Sequence, residues 1–157
     1  MRLLSILVCL LLIAPVWAKD SASQSRSKLR SFLDKIQAAE SQARPIEPMF
    51  IPMAKRSREE TKELERRIQF LDELINQKTR PLGREISQYQ AQVDDSMAVP
   101  HSAVREAYEA LDVWLSAKLS LQNAGVNNPS LEALKKNEPA RYQEYQVKFK
   151  AAQEKLK

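Results

Sequence analysis

The stretch that decides the fold is residues 57–97, SREETKELERRIQFLDELINQKTRPLGREISQYQAQVDDSM. Ser57 and Glu60 form a capping box, in which each side chain bonds to the backbone amide of the other residue at a helix start. Apolar residues then recur in steps of four, three and four, which is the spacing of one helix face. They are Leu64, Ile68, Leu71 and Ile75, followed by Leu82, Ile86, Tyr89 and Val93. The stretch therefore predicts one long amphipathic helix.

Pro81 interrupts this pattern. It has no amide proton to give to the carbonyl of Gln77, and its ring crowds that carbonyl. Either the helix kinks there, or it ends and a second helix starts with Pro81 in its first turn. An eleven-residue repeat, about three turns, keeps Leu64, Ile75 and Ile86 on one face across the proline. We therefore favour a continuous helix with a kink.

Helix patterns also cover most of the remaining chain, and no strand pattern occurs in the sequence. A first helix is expected over about residues 25–43 and a third over about 102–123. Pro129 and Pro139 then mark the starts of a short helix and a last helix. With two glycines in 157 residues, the sequence predicts an all-α protein: an elongated bundle of about four helices, the second long and kinked at Pro81.

The first 18 residues have the pattern of a secretory signal peptide. Arg2 precedes an apolar run that ends at Pro15, and Val16 and Ala18 are suitably small for cleavage after Ala18. An uncleaved anchor is the alternative, but the run is shorter than the ~20 residues that span a membrane. We expect a signal peptide at 1–18, a flexible tail at 19–28 and one helical domain at 29–157. The sole cysteine, Cys9, falls within the signal peptide.

A proline-rich linker between the first two helices is unusually apolar. Its Met49, Phe50 and Ile51 either fold back to plug one end of the bundle or form an exposed anchor for a partner. The second half of the long helix also presents an apolar stripe that must face partner helices, in the same chain or in another molecule. The predicted partner-binding residues are Met49, Phe50, Ile51, Leu82, Ile86 and Tyr89.

Basic residues cluster at the start, in the first half and near the middle of the long helix, and again in the last helix, in a chain with a formal net charge of +5. A solvated helix face explains most such clusters. The functional alternative is an anionic ligand such as a lipid head group or lipopolysaccharide. The candidate anion-binding residues are Lys55, Arg56, Arg58, Lys78, Arg80 and Arg84.

The sequence offers little for catalysis or metal binding. Its one histidine, His101, lies in no motif and is interpreted as a surface or capping residue. Paired acids such as Asp72 and Glu73 are adjacent on a helix and point in different directions. Two glycines could hardly build a phosphate-binding loop. We therefore expect no catalytic residue, no cofactor and no metal site.

Together these features predict an exported, periplasmic or secreted protein that is not an enzyme. It would bind another envelope protein as a chaperone, adaptor or accessory subunit, with self-association as a further option. The alternative function is binding of an anionic membrane surface or lipopolysaccharide. Nucleic acid is not an expected partner, because export removes the chain from the cytosol.

Overall fold

The computed structural model describes residues 19–157, so the predicted signal peptide lies outside the described residues. The helices are α1 (Ala22–Ala43), α2 (Arg58–Glu73), α3 (Arg80–Tyr89), α4 (Ala98–Asn123) and α5 (Leu131–Lys155). A π-helical segment, Leu74–Thr79, joins α2 to α3, and 3₁₀ turns at Met53–Lys55 and Asp95–Met97 precede α2 and α4. The described part is 80% helical and contains no strand, which confirms the predicted all-α bundle.

The π segment lets one helix continue past Pro81. Residues 58–89 are helical without a break, and we call them the long helix. At the π segment the amide of Arg80 donates to the carbonyl of Ile75, five residues back instead of four. The hydroxyl of Thr79 donates to the carbonyl of Leu74 at 3.0 Å. Such a wide turn changes which carbonyl faces the proline ring, and so relieves the collision expected in a regular helix. Continuity is therefore as predicted, while the kink stays a prediction.

The capping box predicted at the start of the long helix is present. The Ser57 amide donates to the Glu60 carboxylate at 2.8 Å, and the Glu60 amide donates to the Ser57 hydroxyl at 3.1 Å. The hydrogen bond from the Ser57 backbone amide holds the pKa of Glu60 below its usual range. The bond with the Ser57 side chain adds a smaller effect in the same direction. These bonds satisfy two amides that a helix start otherwise leaves without partners.

The apolar stripe of the long helix is buried within the same chain. It packs against α1 and α4, and α4 contacts every other helix. Buried positions step by four, four, three and four along Leu71, Ile75, Thr79, Leu82 and Ile86. A π turn contains one residue more than an α turn, and the two consecutive steps of four accommodate that residue on the same helix face. Each buried Leu or Ile contributes about 1.5–3 kcal/mol relative to exposure, so keeping the stripe in phase matters more than one lost backbone bond.

Three helix boundaries differ from the sequence prediction. The long helix ends at Tyr89, not near residue 97, because the Asp94 side chain accepts from the Ser96 amide and favours a turn. The first helix, expected from about residue 25, begins at Ala22 as α1, since Ser21 and Gln24 form a second capping box. The third predicted helix, α4, begins at Ala98 with Pro100 in its first turn, where amides need no helical partner.

The last two predicted helices are one helix, α5, with Pro139 inside it. The adjacent Glu138 accepts from the Trp114 indole N–H at 2.6 Å and lies 3.6 Å from the Lys118 ammonium. These contacts hold the turn around Pro139 against α4. They offset the hydrogen bond that proline removes.

Candidate functional site

The predicted partner-binding residues divide into two groups. Leu82, Ile86 and Tyr89 are buried in the core of their own chain. The Tyr89 ring meets the Phe32 ring of α1 edge-on, with centroids 5.7 Å apart. Of the two options for this stripe, the same chain covers it, so these three residues are not available to a partner.

The linker residues Met49, Phe50 and Ile51 are half-buried at one end of the bundle. Phe50 packs against a small apolar cluster of Leu121, Ala124 and Leu131, with the Lys135 ammonium 4.8 Å from its ring centroid. This placement matches the plug interpretation rather than the exposed anchor. The most exposed apolar residue of the linker is instead Met53, at 85%.

Two hydrogen bonds tie the linker to the bundle through a single carbonyl. The Glu47 carbonyl accepts from Arg67 and from the Gln122 side-chain amide, each at 2.7 Å. Because the first donor lies on α2 and the second on α4, the linker is fixed to both helices.

A cleft of about 340 Å³ lies beside this anchored linker. Its walls come from the linker, from α2, from the end of α4 and from the loop between α4 and α5. Met53, Leu64, Ile68 and Val126 supply apolar surface, and Arg56 and Gln122 supply polar groups. We call it the linker cleft.

Two residues that line the linker cleft each carry a buried polar atom that has no partner within the described part of the chain. The atoms are Nε of Arg56, a donor, and Oε1 of Gln122, an acceptor. Gln122 is 2% exposed, and its Nε2 is committed to the Glu47 carbonyl, so its Oε1 is the atom left over. A buried polar atom without a partner costs about 1–3 kcal/mol.

The six candidate anion-binding residues do not form one site. Lys55, Arg56 and Arg58 lie at the start of the long helix, and Lys78, Arg80 and Arg84 lie about 30 Å along it, at 1.5 Å per residue. That separation exceeds the ~8 Å screening length in physiological salt, so the groups act independently. Among residues 19–157, none of the six forms an ion pair.

The second group borders an open groove, which we call the arginine groove. Arg80 and Arg84 flank Gly83, and the Tyr108 ring lies so close to this glycine that an added Cβ would sit 2.2 Å from it. Burial is the main cause that raises the pKa of Tyr108, and the nearby Asp112 carboxylate raises it further. Arg80 and Arg84 lower it. The groove thus combines two cations with an acidic neighbour, which reduces its attraction for anions.

His101 is a core residue, which corrects the surface or capping interpretation. It is 4% exposed, and its Nε2 lies 2.8 Å from the Ile86 carbonyl. A carbonyl only accepts, so Nε2 carries a proton and donates. This hydrogen bond joins α4 to the long helix and occupies Nε2 of His101.

The buried charged side chains Glu40 and Lys118 also have structural partners. Glu40, 5% exposed, accepts from the Tyr142 hydroxyl at 2.7 Å and pairs with Arg44 at 3.0 Å. Burial is the main cause that raises the pKa of Tyr142, and the hydrogen bond to Glu40 raises it further. Lys118 is likewise buried and pairs with Glu138. These groups hold α1, α4 and α5 together and do not converge on an open cavity.

Within residues 19–157, no group of three or more His, Cys, Asp or Glu side chains is placed to hold a metal ion. In the same range no helix combines the length and apolarity needed to cross a membrane. Comparisons with protein-family models, curated proteins and solved structures give no match to this chain.

Sequence reasoning missed the residues that set the character of the linker cleft. The α4 stripe includes Leu111 and Leu115, and further steps of three and four reach Lys118 and Gln122. A glutamine at a core position of a helix is a signal in itself, because burial of its amide requires partners. Met53 lies in a 3₁₀ turn and Val126 in the loop between α4 and α5, and neither carries a periodic signal.

The buried pair of Lys118 and Glu138 gives a stability prediction. Replacing Glu138 with Ala leaves the Lys118 ammonium buried without its partner, so the free energy of unfolding should fall by about 3–5 kcal/mol. The matched control is Glu132→Ala, which removes an exposed partner of Lys135 on the same helix and should cost no more than about 1 kcal/mol. Urea unfolding measures both. Equal losses in the two variants would contradict a structural role for Glu138.

Proposed function

We propose that this chain is an exported, non-enzymatic helical protein that binds another protein of the cell envelope as a chaperone, adaptor or accessory subunit. The signal-peptide pattern of residues 1–18 supports export. The observation that carries the binding role is Met53, which stays 85% exposed on a short 3₁₀ turn beside the linker cleft. An exposed methionine beside an apolar cleft is typical of a protein-interaction surface.

Burial of the apolar stripe on the long helix argues against one mode of protein binding. Self-association through Leu82, Ile86 and Tyr89 would require opening the core, so it is not the proposed mode. A non-enzymatic role is favoured because His101, Glu40 and Glu138 are engaged in contacts between helices. We therefore propose that the binding surface lies at the linker end of the bundle.

Site-directed photo-crosslinking in intact cells tests this function. A photoreactive side chain at Met53 should give a discrete protein adduct. At Val147, which is 67% exposed on α5, the same group should give none or far less. Mass spectrometry of the recovered chain should place its first residue at Lys19.

Absence of any adduct at Met53, Val147 and a third exposed position, Val99, would count against a protein-binding role. A chain that retains residues 1–18 would reject the exported, cleaved form.

A second candidate function is favoured by one observation on the arginine groove. Arg80 and Arg84 are exposed and make no ion pair among the described residues, which favours contact with an anionic ligand such as a lipid head group. Contact with a membrane surface through exposed cations is driven by charge and weakens as salt rises.

Vesicles of phosphatidylglycerol and phosphatidylcholine test this candidate. Binding at low salt should fall with added salt and with the double variant Arg80→Gln/Arg84→Gln. The control, Arg66→Gln/Arg141→Gln, removes the same charge from residues that pair with Glu63 and Glu144 and should bind like the parent. Salt-independent binding, or equal loss in both double variants, would reject the arginine groove as an anion site.

A further inference from the structure

We infer that the folded bundle blocks removal of the signal peptide, so that cleavage after Ala18 must take place before the N-terminal end of the chain docks on the bundle. This inference rests on the proposed export of the chain and specifies the order of cleavage and folding. It follows from the contacts that hold Lys19 and Asp20, the two residues directly after the predicted cleavage point. We call these contacts the N-terminal clamp.

The backbone leaves little free chain after the cleavage point. The Asp20 amide donates to the Gln92 carbonyl at 2.8 Å, in the turn that follows α3. Ser21 is the N-cap of α1, and the helix itself begins at Ala22. A protease that needs free chain on both sides of the cleaved bond therefore meets the folded domain within three residues.

Two side-chain contacts complete the clamp. The Lys19 ammonium pairs with the Asp95 carboxylate, and the Tyr89 hydroxyl donates to the Asp20 carboxylate at 2.5 Å. Burial is the main cause that raises the pKa of Tyr89, and the hydrogen bond to Asp20 raises it further, so the hydroxyl keeps its proton and donates. A hydrogen bond to a charged acceptor is stronger than one between neutral groups, which makes Tyr89 the main anchor of the clamp.

The first turns of α1 are fixed to the same corner of the bundle. Ser25 is 0% exposed, and its hydroxyl accepts from the Asp94 amide at 3.0 Å. Phe32, further along α1, meets the Tyr89 ring edge-on. Release of more than the first three residues would therefore unwind α1 and expose part of its buried face.

Removal of a signal peptide is the hydrolysis of one peptide bond. Water adds across the bond between Ala18 and Lys19, which leaves a carboxylate on Ala18 and an α-ammonium group on Lys19. Proteolysis concentrates where the chain is exposed and loosely held. In the folded bundle, Lys19 and Asp20 are bonded to the end of α3 and to the turn after it. The protease therefore acts on the fraction of molecules in which the clamp is open.

The long sequence separation of the contacts decides the order of events. Asp20 and Tyr89 are 69 positions apart, and Lys19 and Asp95 are 76 positions apart. An unfolded chain makes no such contacts and leaves the cleavage point accessible, whereas folding closes the clamp. The chain is therefore exported unfolded and cleaved before α1 docks.

Cleavage of the full precursor, residues 1–157, by a purified signal peptidase in detergent micelles tests this inference. The measured quantity is the initial rate at which a chain beginning at Lys19 appears, followed by mass spectrometry. Phe32→Asp places a charge at a fully buried core position and should prevent folding. Its precursor should be cleaved at least about tenfold faster than the folded parent, because cleavage follows the open fraction.

The clamp itself is tested with the double variant Tyr89→Phe/Asp95→Ala. It removes the bundle-side partners of Lys19 and Asp20 and leaves the sequence around the cleaved bond unchanged. Any effect on the cleavage rate must therefore act through the folded structure. The rate should rise about tenfold over that of the parent, which corresponds to 1.4 kcal/mol in the opening equilibrium.

The matched control, Tyr142→Phe/Asp72→Ala, makes the same two chemical changes away from the clamp. It removes a hydroxyl bonded to Glu40 of α1 and an exposed carboxylate bonded to Asn76. Its precursor should be cleaved within about twofold of the parent rate. Circular dichroism verifies that both double variants are folded and that Phe32→Asp is not.

If Tyr89→Phe/Asp95→Ala does not fold, the single variant Asp95→Ala, compared with Asp72→Ala, decides whether the clamp limits cleavage. A clamp variant that is cleaved no faster than its control would overturn the inference. So would equal rates for the folded parent and Phe32→Asp, and the exported, cleaved form would then still stand. If Phe32→Asp is itself not cleaved, the exported, cleaved form is rejected, and this inference falls with it.

Discussion

The bundle depends on one constraint: the apolar stripe of the long helix must stay in phase on both sides of Pro81. In a regular α-helix the proline would collide with the preceding turn. The π segment before it widens that turn, and the Thr79 hydroxyl supplies a donor to the Leu74 carbonyl. The stripe therefore reaches Ile86 in register with α1 and α4, and His101 can bond to the Ile86 carbonyl. Because α4 contacts every helix, loss of this register would disturb the whole core.

Much of the fold could be predicted because it follows from local chemistry. The Ser57 capping box, the helix periodicity and the all-α class are all present. The boundaries were harder to predict because distant contacts decide them. Residues 22–28 are helical partly because the Ser25 hydroxyl lies 3.3 Å from the Tyr89 hydroxyl, 64 residues away in the sequence. The α5 helix passes Pro139 because Glu138 is held by Trp114 of α4. A sequence pattern does not contain such pairings.

The candidate site was only partly predictable, for the same reason. Composition pointed to the linker, and the structure does place Phe50 against the end of the bundle. Periodicity could not decide whether Leu82, Ile86 and Tyr89 face the same chain or another one, since either solution buries the same area. The linker cleft unites Arg56 and Gln122, which lie 66 positions apart in the sequence. Folding brings these residues together, and no local sequence pattern marks the cleft.

Amide hydrogen exchange on residues 19–157, resolved by NMR, tests the central claim of a continuous helix through Pro81. The account predicts that the Arg80 amide, which donates to the Ile75 carbonyl, is protected, as are the amides on the buried face of α3. Their exchange should be slowed to a degree similar to that of the buried face of α2. Amides of residues 77–80, 82 and 83 that exchange as fast as the exposed linker amides would instead show a break at Pro81 and would contradict the account.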